Sequence, residues 1–72
     1  MKLWVLRHNG CGYDEHRGFI MRARSAKKAR AMAAGAAADE GPNVWRDATR
    51  STCEELTLDG AEGVVMSDFN AG

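Results

Sequence analysis

Four side chains in this sequence are of the kinds that hold soft metals or carry out nucleophilic attack: His8, Cys11, His16 and Cys53. The spacing His8-x2-Cys11-x4-His16 puts three of them in one glycine-rich stretch, and a zinc ion would suit such a set and stabilise a small domain. Structural zinc sites are usually built on a Cys-x2–4-Cys knuckle, however, and the sequence has none. Cys11 with His8 or His16 could also form a thiolate–imidazole pair. Nothing in the sequence orients the base, and 72 residues leave little room for a cleft that excludes water. Gly10-x-Gly12 leads to no helix N-terminus, so it is no phosphate cradle. The expectation is a protein without catalytic activity, metal or cofactor, with both cysteines as free thiols of the reducing cytoplasm.

The charge pattern is more informative. Ten Lys/Arg balance ten Asp/Glu, but residues 1–38 hold eight cations and two acids (+6), and residues 39–72 hold two cations and eight acids (−6). Six cations fall within fourteen positions: Arg17, Arg22, Arg24, Lys27, Lys28 and Arg30. Such a stripe can engage phosphates or be no more than a solvated face, with Phe19 the one aromatic beside it, and the acidic half could instead contact a basic surface. The expected partner-binding set is Arg22, Arg24, Lys27, Lys28 and Arg30, with Glu54 and Glu55 from the acidic half. No apolar run approaches the ~18 residues of a membrane span, and Met1-Lys2 leads to only four apolar residues before Arg7, so no signal peptide is expected either.

These residues need positioning, and one domain spanning residues 1–72 must do it. A chain of this size buries roughly 60% of the surface its unfolded form exposes, so every large side chain counts. Lys2–His8 predicts a strand, ended by Asn9-Gly10-Cys11-Gly12. Gly18–Ala23 predicts a second strand, antiparallel to the first, with Phe19, Met21 and Ala23 on one face and Ile20 and Arg22 on the other. Ser25 is an N-cap for the alanine-rich run to Glu40, with Gly41-Pro42 as a stop. On that helix Ala26, Ala29, Met32, Ala33, Ala36 and Ala37 form the expected buried stripe, with Lys27, Lys28, Arg30 and Ala34 facing away. Lys27 and Lys28 oppose the macrodipole, and Gly35 in mid-helix costs about 1 kcal/mol more. Val44-Trp45 predicts a short extended piece. Ser51 and Glu54 could form a capping box, but the alternation over 51–57 favours a strand in a hairpin with a C-terminal strand over 63–69. One of Trp4 and Trp45 is expected to be buried, with the other either filling the core too, the favoured reading, or half-exposed as an interface anchor. Phe69 is expected to seal one end of the core. The fold class is α+β: a small antiparallel sheet of three to four strands with one helix on a face, in the order β-β-α-β(-β).

Met1-Lys2-Leu3-Trp4 before a strand, Gly12-Tyr13-Asp14-Glu15 before Gly18-Phe19-Ile20, an Ala/Arg helix, and Gly63-Val64-Val65-x-Ser67-x-Phe69-Asn70-Ala71-Gly72 together resemble a group of short bacteriophage and prophage proteins. The resemblance covers nearly the whole chain and is greatest at its ends. It implies a viral origin and a size class. It departs at Lys27-Lys28, where acids often stand. Anti-CRISPR proteins and other inhibitors of bacterial defence are similar in being short, soluble and charge-patterned. By that analogy the chain is expected to act in the host cytoplasm by occupying the surface of a host protein or protein–RNA complex. Two other expectations compete: a small nucleic-acid-binding protein using the stripe 17–30, and a self-associating protein, such as a homodimer, whose +6 and −6 halves pair between copies.

Overall fold

The computed structural model describes residues 1–10 and 12–67. Its elements run β1 (Lys2–His8), β2 (Gly18–Ala23), α1 (Ala26–Gly35), α2 (Pro42–Arg46) and β3 (Ser51–Leu56). The sheet has three strands in the order β2-β1-β3, and both pairings are antiparallel. The β1–β2 ladder runs from Lys2 opposite Ala23 to Arg7 opposite Gly18. The β1–β3 ladder runs from Leu3 opposite Leu56 to His8 opposite Ser51. Gly18 is required where β2 begins: a Cβ there would sit 2.8 Å from the Leu6 carbonyl oxygen.

Alternation along each strand separates two faces. Trp4, Leu6, Phe19, Met21, Ala23 and Cys53 belong to the core that packs with α1 and α2. Leu3, Val5, Arg7, Ile20, Arg22, Thr52, Glu54 and Leu56 lie on the opposite face. The buried centre is Leu6, Ala23, Ala29, Ala33, Ala34, Val44 and Trp45. Three alanines bring α1 close to the sheet, and the fully buried Trp45 supplies most of the remaining volume. Trp4 is half-buried and donates from its indole Nε1 to the Ala23 carbonyl at 3.1 Å.

The α+β class and strands β1 and β2 agree with the sequence, and five expectations are corrected. There are two helices in the described residues, because Val44-Trp45 lies inside α2 rather than in an extended piece. Gly41, at φ 82°, turns the chain into Pro42, whose fixed φ suits a first helical turn, so the residue taken as a stop is a start. Helix α1 ends at Gly35, five residues before the expected end. Its buried stripe is rotated: Ala34 is buried and Arg30 turns inward, while Met32 and Ala36 are exposed. Last, β3 pairs with β1 rather than with residues 63–69, and residues 63–67 form no strand. β1 already supplies β3 with an antiparallel partner, and the segment from Val64 lies instead across the open face of the sheet, with Val65 beside Val5, Thr52 and Leu56. Phe69, expected to seal the core, lies outside the described residues.

Candidate binding surface

Four of the expected cations flank one corner of the chain, with Arg22 on the open face of the sheet and Lys27 and Lys28 on α1 against the other face. Arg22 and Arg24 lie at the end of β2 and just beyond it, Lys27 and Lys28 lie in the first turn of α1, and all four are exposed. Ser25 fixes the bend between them: it is extended at φ −151° and its side chain accepts from the Lys28 N–H at 3.2 Å. The first turn contains no acid, and none of the four cations forms an ion pair with a described residue. The helix–strand corner therefore gathers positive charge where the macrodipole already supplies it. A groove of about 260 Å³ continues from this corner between the helices, lined by Lys27, Arg30, Ala31 and Arg46. Sequence reasoning missed Arg46, because only the helical reading of 42–46 brings it beside α1.

Arg30 has a different role from its neighbours. Its Nη1 donates to the Trp45 carbonyl at 3.0 Å and to Ser51 Oγ at 2.9 Å, and its Nη2 donates to the Ser51 carbonyl at 3.1 Å. Ser51 is buried and its hydroxyl donates to the Val44 carbonyl at 2.7 Å. One guanidinium thus ties α1 to the end of α2 and the start of β3. Glu54 and Glu55 lie on β3, at the edge of the sheet away from β2, and Glu55 pairs with Lys2 at 3.5 Å. The structure groups Arg22, Arg24, Lys27 and Lys28 and places Arg30 inside and the glutamates elsewhere.

The histidines are engaged in a second cluster. Glu40, with its side chain 1% exposed, accepts on Oε1 from the His16 and Ala38 N–H groups, both at 3.1 Å. On Oε2 it accepts from Trp45 Nε1 at 2.8 Å and from His16 Nδ1 at 3.2 Å. Burial alone would raise the Glu40 carboxyl. The hydrogen bonds from Trp45, from Glu40's own backbone, and from His16 and Ala38 outweigh it and lower the pKa from 4.5 to about 2. His8 Nδ1 accepts from the Gly10 N–H at 2.9 Å, so Nε2 carries the proton that bonds the His16 carbonyl. Rings close the cluster: His8 meets Trp45 edge-on at 5.0 Å, Phe19 meets Trp45 at 5.0 Å, and His16 lies over Phe19 at 4.5 Å.

This cluster is a latch more than a reaction centre. A carboxylate with four donors has no lone pair left to take a substrate's proton, and both nitrogens of His8 are used. Cys53 lies two residues along β3 from Ser51, its Sγ 3.9 Å from the Ala26 carbonyl; burial raises its thiol pKa, against the pull of Arg30. Cys11 is outside the described residues, and among those described no three His, Cys, Asp or Glu side chains gather in a metal-holding group. Among the described residues no helix is long and apolar enough to cross a membrane. No protein family, curated protein or solved structure matches the chain.

Proposed function

We propose that this is a bacteriophage-encoded binding protein that inhibits a host factor, in CRISPR or another antiviral defence, by laying its cationic corner on an acidic surface of that factor in the host cytoplasm. The observation that carries this reading is the placement of Arg22, Arg24, Lys27 and Lys28. Four cations crowd one corner without an ion-pair partner among the described residues, and two of them oppose the helix dipole at about 0.3–1 kcal/mol each. The fold gains nothing from that arrangement, whereas an external anionic surface would. Local rules broken without internal compensation are expected at functional sites. A binding role also asks only for a stable surface, and the Arg30 clamp and the Glu40 latch brace the fold that carries the corner.

The test is capture of host proteins on the tagged chain, with and without nuclease, compared with an Arg22→Glu/Lys27→Glu/Lys28→Glu variant. A stoichiometric protein retained after nuclease and lost with the variant is the expected result. Retention of that protein by the variant would move the interface away from the corner. The same corner, extended by the Arg46 groove, supports nucleic acid as the second reading. Material lost on nuclease treatment, with log affinity falling by about 0.9 per phosphate contact against log salt, would favour it.

A further inference from the structure

Strand β2 has the composition of an inner strand and the position of an edge strand. Phe19, Ile20 and Met21 are apolar in succession, so β2 presents hydrophobic side chains to both faces, as strands covered on both sides do. Yet β2 ends the sheet, and no described residue forms a ladder on its outer side. Ile20 is left 53% exposed, and Phe19 and Met21 are only half-buried. Residues 63–67 show the converse mismatch. Val64, Val65 and Met66 strongly favour a strand, but they form none, and Val64 and Val65 remain 84% and 70% exposed.

Charge matches the two mismatches to one another. Arg22 and Arg24 mark the β2 edge, and Asp59 and Glu62 precede the valines. The free edge of β3 carries Glu54 and Glu55 and offers those acids no opposite charge, although Val65 lies beside both glutamates within the chain. Within one chain the segment touches β2 only at Gly18 and does not pair along its edge. Val65 lies against a cavity of about 240 Å³ shared with Val5, Thr52 and Leu56, and Met66 Cε stands 3.7 Å from where a Gly18 Cβ would be, so the segment runs across the strands on the open face.

We propose that residues 63–67 pair as a fourth strand with the β2 edge of a second copy of this chain, each copy donating its segment to the other. The added strand shields Ile20 on one face and Phe19 and Met21 on the other, and it sets the acids at 59 and 62 near the arginines at 22 and 24. Exchange between two identical chains closes the assembly at a dimer. The backbone ladder provides affinity and the alternating side chains provide specificity, as in other strand additions.

The experiment is light scattering of the full-length chain across about 1–200 µM, with two variants whose changes fall on exposed side chains. A dimer of twice the chain mass is expected for the wild type, and monomers for Val64→Asp/Val65→Asp and for Ile20→Glu separately, each with an unchanged circular dichroism spectrum. Mixing the two monomeric variants should restore a heterodimer, because the first keeps an intact edge and the second an intact segment. A wild-type monomer at the highest concentration overturns the proposal, including one whose residues 63–67 exchange amide hydrogens slowly, which would assign the strand to the chain's own edge. A dimer that persists in both variants, or no heterodimer on mixing, overturns it as well.

Discussion

Glu40 depends on its neighbours more than any other side chain described here. Its carboxyl titrates at about 2 in the folded chain against an ordinary 4.5, so the stability it contributes is fully present above pH 4.5 and is lost as pH falls towards 2. Denaturant titrations should show a loss on the order of 2 kcal/mol from this group between about pH 5 and pH 3. Glu40→Gln should be less stable at neutral pH, because its amide presents N–H to groups that already donate, and should lose that part of the acid dependence. An unchanged pH slope in the variant would remove Glu40 from the account. Trp45 is the other critical residue: it is wholly buried and holds both the latch and the core. Replacing it with Ala should cost about 3–5 kcal/mol, much of what a domain of this size possesses, so the variant should be largely unfolded by circular dichroism at 25 °C.

The two helices test how local preference and tertiary contact divide the work. Gly35 has no atom within 4 Å of its missing Cβ and no positive φ, so Gly35→Ala should stabilise the chain by about 0.5–1 kcal/mol and raise the thermal midpoint. Arg30→Met should do the opposite, by about 2–4 kcal/mol, because it leaves the Trp45 and Ser51 carbonyls without their donor. Lys27→Glu separates stability from binding: the acid favours the helix dipole, so the variant should melt slightly higher while retaining less partner. These elements were unequally legible in the sequence. β1 and β2 could be read to the residue because their apolar runs flank one glycine-rich loop and Ser25 caps the helix that follows. α2 could not, since Gly41-Pro42 serves equally as a stop and a start, and Val-Trp has strand preference that burial overrides. Alternation identified β3 but not its partner, because alternation assigns residues to faces and does not say which strand lies alongside. The Glu40 latch was invisible because it joins residues 24 and 5 positions away and forms only when α1 ends early.

Across the whole molecule the strand order β2-β1-β3 converts a division along the sequence into a division in space. Arg22 and Arg24 mark one edge of the sheet, Glu54 and Glu55 the other, and the Lys2–Glu55 pair spans only part of the distance. The same order has a consequence during synthesis. β1 is the central strand, and its second neighbour is complete only 33 residues beyond the end of β2. At about 5–20 residues per second, roughly 2–7 s separate the emergence of the hairpin from that of the strand that completes the sheet. Through that interval the nascent chain displays Leu6 and Trp4 beneath an unfinished helix layer, and it carries most of its positive charge beside the polyanionic ribosome before the neutralising acids have been made. Its sheet can therefore close only once the acidic half is out, so the order of translation delays the step that makes the chain a stable surface.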